Sequence, residues 1–188
     1  MKKLVTLMIA ASLSSVAFAA PETYVIDNNH SKPRFEYDHM GVSIQLSRFD
    51  SISGIITIDR AAKTGMVEVT IDAKSVDSGS AEFNGHLQGE DFFNTAKYPT
   101  ITYKSNKFQF AGDKVVSVEG DLTIKGVTKP VTLTVNSFNC IMHPMMHKED
   151  CGVTATAKVK RSDFNMGKYV PLVGDEVTLT LPVESFKQ

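Results

Sequence analysis

The densest reactive chemistry of the chain lies between Cys140 and Cys151. The ten residues between the two cysteines include His143, His147 and three methionines. Imidazole and thioether groups are ligands that copper accepts outside the cytoplasm. The alternative is a hairpin tip pinned by a disulfide, with the His and Met side chains packing over its rim. We favour the hairpin, because oxidised thiols cannot serve as thiolate ligands.

The state of the two cysteines depends on the compartment, and the first residues of the chain indicate export. Residues 1–3 are Met-Lys-Lys, residues 4–13 form an apolar stretch, and residues 17–19 are Ala-Phe-Ala. This is the order of a secretory signal peptide. We expect cleavage after Ala19, which leaves residues 20–188 as a single domain. Two cysteines in an oxidising compartment then predict a Cys140–Cys151 disulfide.

Overall charge and composition exclude several classes of function. The chain has 20 Lys and Arg against 21 Asp and Glu, for a formal net charge of -1. Such a balance offers no basic footprint for nucleic acid, so no nucleic-acid partner is expected. Hydrophobic residues at 42% and charged residues at 22% are typical of a globular protein.

Local motifs of catalysis are absent from the sequence. It contains no Gly-x-Ser-x-Gly, His-Glu-x-x-His or Cys-x-x-Cys motif and no phosphate-binding glycine loop. His30, His39 and His86 are single histidines within strand or helix patterns, and each is interpreted as a structural residue or a residue at the mouth of the fold. We therefore predict a protein that is not an enzyme.

The body of the chain alternates apolar and polar residues with period two. Val67, Val69 and Ile71 share one face of a strand, while the residues between them are polar. This pattern is typical of a strand with one buried face. A closed antiparallel sheet buries every such face and removes exposed edges, so we predict a barrel of about eight strands. A β-sandwich would satisfy the same pattern. The alternation recurs in residues 34–38, 42–47, 116–124, 131–136 and 177–181.

One segment departs from the strand period and predicts a short helical insertion. Ser80 is suited to cap a helix, and Gly89 is suited to end it. Phe83, Phe92 and Phe93 are concentrated in and just after this segment. They either roof one end of the barrel or complete its core, and the pattern leaves both alternatives open.

Several ordered fragments together resemble the YceI-like family of exported bacterial proteins. The likeness spans nearly the whole of residues 20–188, and the order and spacing of the fragments make it specific. One departure is Ser47, where many members of the family carry Gly two residues before the Phe that matches Phe49. The fragments are Tyr24-x-Ile26-Asp27-x-x-His30-Ser31, Phe35, His39-x-Gly41, His86-Leu87-x-x-x-Asp91-Phe92-Phe93, Tyr98-Pro99, Gly120-x-Leu122-Thr123-Ile124-x-Gly126-Val127-Thr128-Lys129-Pro130-Val131, Arg161-Ser162-Asp163-Phe164 and Asp175-Glu176-Val177.

The resemblance implies an extended, lipocalin-like antiparallel β-barrel whose interior holds a polyisoprenoid lipid in the periplasm. The ligand would be an isoprenoid quinone or a polyprenyl chain, with no further cofactor and no catalytic residues. A carrier of this kind would make transient contact with a membrane or a membrane protein. Copper binding by the His/Met tip, and an enzyme acting on a small apolar substrate, remain as alternative functions.

Inward-facing positions of the strands supply the candidate binding wall. Four aromatic or aliphatic residues of the helical segment and the turn after it are expected near one end: Phe83, Leu87, Phe92 and Phe93. The wall itself is expected to comprise Phe35, Ile44, Phe49, Ile58, Val69, Tyr103, Leu122, Leu133, Val135, Phe164 and Leu179.

Overall fold

The computed structural model describes residues 20–188 and consists mainly of β-strands. The expected signal peptide, residues 1–19, lies outside the described residues. There is one α-helix among the described residues, α1 (Ala81–Gln88), and there are two 3-10 turns, Ala73–Ser75 and Arg161–Phe164. The strands are β1 (Glu22–Ile26), β2 (Arg34–His39), β3 (Ser43–Phe49), β4 (Ile52–Asp59), β5 (Thr64–Asp72), β6 (Val76–Asp77), β7 (Thr100–Ala111), β8 (Lys114–Ile124), β9 (Val127–Met142), β10 (Glu149–Lys160) and β11 (Val173–Lys187).

Eight of these strands form a closed antiparallel barrel. The order around the ring is β1-β4-β5-β7-β8-β9-β10-β11, and pairing of β1 with β11 closes it. The remaining strands extend the wall, because β2 continues along β11, β3 pairs with β2, and β6 pairs with the end of β3. The prediction of an eight-stranded barrel is therefore confirmed, and the sandwich alternative is excluded.

Alternation along each strand determines which side chains enter the barrel. In β5, Val67 is buried and Val69 and Ile71 are half-buried, whereas Glu68 and Thr70 between them are exposed. Successive side chains of a strand point to opposite faces, so one apolar face per strand is enough to build the interior. Within residues 20–188, these faces build one continuous hydrophobic core.

Helix α1 begins and ends where the sequence predicts. The Ser80 hydroxyl accepts a hydrogen bond from the Phe83 backbone N–H, and the Gly89 N–H donates to the His86 carbonyl. These bonds satisfy terminal backbone groups that the helix itself leaves unpaired. The helix is short and mostly exposed, with Leu87 as its buried anchor. No helix in residues 20–188 has the length and apolar character to cross a membrane.

Candidate functional site

A cavity of about 360 Å³ runs along the inside of the barrel. Its lining comes from every strand of the ring, from β2 and from the helical segment, and it is almost entirely apolar. Val115 and Ile124 of β8 and Val67 of β5 are examples of buried residues in this wall. An eight-stranded barrel is just wide enough to be filled by side chains or to hold one small ligand. Here the interior leaves space.

Fourteen of the fifteen residues proposed from the sequence line this cavity. The structure thus brings together positions that are far apart in the chain, because inward faces of all strands meet in one interior. Contact of these residues with a ligand stays a prediction. The fourteen are Phe35, Phe49, Ile58, Val69, Phe83, Leu87, Phe92, Phe93, Tyr103, Leu122, Leu133, Val135, Phe164 and Leu179.

Ile44 is the exception, and its placement in the wall is wrong. Its side chain is 62% exposed on the outside of β3, while Ser47 and Phe49 of the same strand are buried. Residues 44 and 49 differ by an odd number of positions, so a regular strand cannot turn both inward. The apolar side chains of the first half of β3 face solvent, whereas the apolar side chains of an alternating strand usually face the core.

The three phenylalanines of the helical insertion have two different roles. Phe93 packs edge-on against Phe35 and Phe49, with ring centroids 5.8 Å and 5.3 Å away, and so completes the core. Phe83 and Phe92 instead pack on the His86 ring, at 5.9 Å and 4.9 Å, at the end of the cavity. One aromatic ring therefore finishes the interior, and two of them roof it.

We infer that the mouth of the cavity lies at this same end, because lining residues reach solvent there. His86 and Tyr169 line the cavity and are also exposed to solvent, and Tyr37 and His39 of β2 line it and are partly exposed. Burial raises the pKa of the Tyr37 hydroxyl, and the nearby Arg161 charge opposes that rise. Imidazole and phenol groups at the rim of an apolar cavity supply the few polar contacts that orient an amphipathic ligand.

Arg161 holds the loop that borders the mouth. Its buried guanidinium donates hydrogen bonds to the carbonyls of Lys168 and Gly174, both at 2.8 Å, of Val173 at 2.9 Å, and of Met166. Burial lowers the pKa of this guanidinium, although the Asp175 charge works in the other direction. The planar donor fork of arginine suits such a cluster of carbonyls. This role was missed from the sequence, because the acceptors are backbone atoms.

Tyr103 carries a polar atom into the middle of the wall, where it is satisfied by the barrel itself. Its hydroxyl lies 2.9 Å from the Val118 carbonyl and 3.0 Å from the Val131 carbonyl. Burial raises the pKa of this phenol, with smaller contributions from the Asp121 and Glu119 charges. A buried hydroxyl with a backbone acceptor costs little. The cavity therefore keeps its apolar character even where a tyrosine lines it.

The end opposite the mouth is closed by Tyr24 and a network of charges. Tyr24 is 1% exposed and lines the cavity, and the Arg60 guanidinium lies over its ring and pairs with Glu22 and Glu149. Lys187 adds a 2.5 Å contact to Glu22. This hydrogen bond, together with the Tyr24 hydroxyl and the Arg60 charge, outweighs burial and lowers the Glu22 pKa. This network was missed from the sequence, since Glu22, Arg60 and Glu149 lie far apart in the chain.

The Cys140–Cys151 disulfide is present, as predicted, and it joins β9 to β10 next to this closed end. The hairpin tip beyond it folds around His143, whose Nδ1 accepts hydrogen bonds from the backbone N–H groups of Met145 and Met146. With both thiols oxidised, the tip has no thiolate ligand to offer copper.

His30 lies on the outside of the barrel, away from the cavity. Its Nδ1 is 2.6 Å from an Asp27 carboxylate oxygen and 3.7 Å from a Glu184 oxygen. The bond to Asp27, followed by the Glu184 charge, raises the His30 pKa above its ordinary value of 6.5. The backbone N–H of Asn29 also donates to Asp27. The His30 side chain therefore fastens a surface loop.

A closed eight-stranded antiparallel barrel with a long apolar interior places the chain in the class of lipocalin-like β-barrels. Within that class the chain belongs to the YceI-like domain family, whose model matches residues 24–185.

Among curated relatives, protein YceI of Escherichia coli O157:H7 is 36% identical over 190 residues, covering 100% of this chain and 98% of the relative. A UPF0312 protein of Shewanella putrefaciens is 33% identical, with coverage of 100% and 99%. The crystal structure of Burkholderia cenocepacia BcnA superimposes with a TM-score of 0.69 at 28% identity, covering 85% of this chain and 98% of that one.

A polyisoprenoid binding domain from Saccharophagus degradans, implicated in plant cell wall breakdown, has a TM-score of 0.65 at 19% identity. The two structures align over 88% of this chain and 98% of that domain. At this level of identity the likeness shows a shared fold.

Proposed function

We propose that the protein binds a polyisoprenoid lipid, an isoprenoid quinone or polyprenyl chain, inside the barrel and acts as its carrier. The observation that carries the proposal is the apolar cavity of about 360 Å³, open beside His86 and Tyr169 and closed at Tyr24. A long, narrow and apolar interior with one open end fits a single hydrocarbon chain. The description of the Saccharophagus degradans domain as polyisoprenoid binding agrees with this ligand class.

The apolar wall supplies the affinity. Removing on the order of 400 Å² of isoprenoid surface from water corresponds to roughly 10 kcal/mol before the costs of association. Such a chain would replace empty or poorly hydrated space, since a cavity without polar partners holds water weakly. The headgroup would then lie at the mouth, where Tyr37, His39 and His86 offer hydrogen bonds.

We propose that the interior binds its ligand and does not act on it chemically. Two of the polar side chains that line the cavity, Tyr103 and Arg161, are engaged with backbone carbonyls of the barrel and the mouth loop. Groups that act on a substrate must be free to exchange a proton or attack a bond. We infer that these two groups maintain the shape of the cavity.

The carrier is proposed to act in the periplasm. The signal peptide expected in residues 1–19 and the Cys140–Cys151 disulfide both support an exported, oxidising location. A carrier between two membranes needs an interior that shields an isoprenoid from water during transit, which the closed barrel provides.

The test is to purify the protein from its native compartment without refolding, extract it with organic solvent and identify the extract by mass spectrometry. We expect the extract to contain close to one polyisoprenoid molecule per barrel. Native mass spectra should show the protein with this lipid bound, and the added mass should disappear after extraction. A protein recovered empty that also takes up no polyisoprenoid from detergent solution would refute the proposal. An extract dominated by straight-chain fatty acids would show that the ligand is a fatty acid and not a polyisoprenoid.

A further inference from the structure

Six exposed apolar side chains form a rim beside the mouth of the cavity. Among them, Val42 is 81% exposed, Ile44 62% and Leu172 60%. Exposed apolar patches of a few hundred Å² or more mark sites of interaction in otherwise polar surfaces. We define the apolar rim as Met40, Val42, Ile44, Leu46, Tyr169 and Leu172.

Strand pairing joins the two parts of the rim to each other and to the mouth. His39 at the end of β2 pairs with Val173 at the start of β11, and it also pairs with Ser43 at the start of β3. His39, Tyr169 and Val173 themselves line the cavity. The apolar rim is thus continuous with the opening through which a ligand would pass.

The first half of β3 projects from the barrel. Residues 43–46 are all exposed, so both faces of the strand meet solvent, and their pairing is with β2. Strand β6 pairs with β3 at Arg48 and Phe49, which begin two residues after this stretch. The β2–β3 ribbon therefore stands beyond the barrel wall and presents its apolar side chains at the molecule's edge.

Neither segment of the rim contains a charged residue. Residues 40–47 and 169–174 lack Asp, Glu, Lys and Arg, although 22% of the whole chain is charged. The nearest charges follow directly at the margins, at Asp38, Arg48, Lys168 and Asp175. Charged side chains are costly in hydrocarbon, and apolar ones with polar residues at the border suit shallow insertion at a membrane interface.

We propose that the apolar rim docks the mouth of the barrel on the surface of a phospholipid bilayer. This rests on the proposed function, because a polyisoprenoid dissolved in a membrane can enter the cavity without crossing water only if the mouth meets the bilayer. Docking is shallow, with the apolar side chains among the lipid headgroups and upper chains and the unpaired edge of β3 still hydrated. A second copy of the chain seated on the rim would cover the mouth and is the competing occupant.

The test combines a rim variant with a matched control at the other end of the barrel. The rim variant is Val42→Ser, Ile44→Ser and Leu46→Ser, three exposed side chains outside the cavity lining. The control replaces Ile141, Met145 and Met146 by Ser, which are 52%, 80% and 55% exposed on the β9–β10 hairpin. Both should unfold at temperatures close to that of the unsubstituted protein.

Flotation with phosphatidylcholine vesicles measures docking, and uptake of a fluorescent polyisoprenoid from detergent solution measures binding in the cavity. Withdrawing three apolar side chains from the interface should lower the vesicle-bound fraction and the rate of transfer from vesicles by about tenfold or more. The control should behave like the unsubstituted protein, and uptake from detergent should be equal in all three.

Equal flotation of the rim variant and the unsubstituted protein would overturn the docking proposal. The docking proposal would also be overturned if the unsubstituted protein does not float with the vesicles and light scattering shows a dimer that the rim substitutions dissociate. Loss of uptake from detergent in every protein, with flotation still dependent on the rim, would overturn the carrier function and leave docking standing. The two proposals therefore fail separately.

Discussion

The Tyr103 ring lies directly over Gly120 on the neighbouring strand. A Cβ atom at residue 120 would stand 2.7 Å from the ring's Cζ and 2.6 Å from the Lys104 carbonyl oxygen. Such distances are too short for any side chain at residue 120. Because Gly120 has none, the Tyr103 ring can lie flat along the wall. That position brings its hydroxyl to the carbonyls of Val118 and Val131.

Replacing Gly120 by Ala is expected to destabilise the barrel. The added methyl group would push against both a ring and a backbone carbonyl, and overpacking of this kind costs about 1 to 3 kcal/mol. Urea unfolding followed by circular dichroism measures the loss. The control is Gly152→Ala, because a Cβ atom at residue 152 would lie at an ordinary 3.7 Å from the Glu184 side chain. Equal stability of the two variants would contradict the stated role of Gly120.

The sequence predicts most of the barrel because each strand has one buried face. Period-two alternation in β5 and β9 identifies Val67, Val69 and Leu133 as inward residues, and pairing does not change which face they occupy. Helix α1 is predicted equally well, because Ser80 and Gly89 act on backbone groups only a few residues away. Local signals suffice wherever the deciding contact is local.

The sequence fails where the deciding contact is distant. The outward turn of Ile44 depends on the packing of Phe49 against Phe35 and Phe93, which belong to other elements. The roles of Arg161 and Arg60 depend on carbonyls and carboxylates that the fold brings to them. In β3 both faces carry an apolar residue, Ile44 on one and Phe49 on the other, so only tertiary packing decides which face is inside.

Adding volume to the cavity wall should displace ligand without unfolding the protein. We expect Val69→Trp and Leu133→Trp to fold in the ligand-free state and to carry less lipid, because the new ring occupies cavity space. The same change in a close-packed core would cost about 1 to 3 kcal/mol or more. The chain has no native Trp, so fluorescence reports the new ring directly.

The control for these variants is Met66→Trp on the outside of β5, at a residue that is 49% exposed. It should keep its lipid and fluoresce as an exposed indole. A Val69→Trp protein that folds normally and retains a full lipid complement would count against this position as part of the binding wall.

The disulfide should be recoverable from the exported protein and should contribute stability without affecting the cavity mouth. We expect the mass to rise by about two daltons on reduction, and replacement of Cys140 and Cys151 by Ser to cost roughly 3 kcal/mol by the chain-entropy argument. Lipid content should be unchanged, since the bridge lies at the closed end. Two free thiols in protein from the native compartment would show the prediction to be wrong.

The His/Met tip is expected to bind copper weakly and to play no part in lipid binding. Replacing His143 and His147 by Ala should leave the recovered lipid unchanged, because the tip lies beyond the closed end of the barrel. Elemental analysis and equilibrium dialysis provide the measurement. Stoichiometric copper in the purified protein that disappears in this double variant would favour the metal-handling function over the carrier.

Stability should depend on pH through His30. The Asp27 hydrogen bond and the Glu184 charge raise the His30 pKa above 6.5, so the folded state favours the protonated ring. Its contribution is complete below the unfolded-state pKa and is lost as the pH rises through the higher, folded-state pKa. Burial raises the pKa of Asp27, but hydrogen bonds from Asn29 and His30 outweigh it and lower that pKa overall. The contribution of Asp27 to stability is therefore lost only at acidic pH, below the pH range in which the His30 contribution changes.

The measurement is the melting temperature of the unsubstituted protein minus that of His30→Asn, followed from about pH 5 to about pH 8. An asparagine amide can still donate to Asp27 but carries no charge, so the difference should be positive at the acidic end and shrink as the pH rises. His86→Asn is the control, because this imidazole packs against the rings of Phe83 and Phe92. A difference for His30→Asn that stays constant over this range, or grows with pH, would contradict the assigned ion pair.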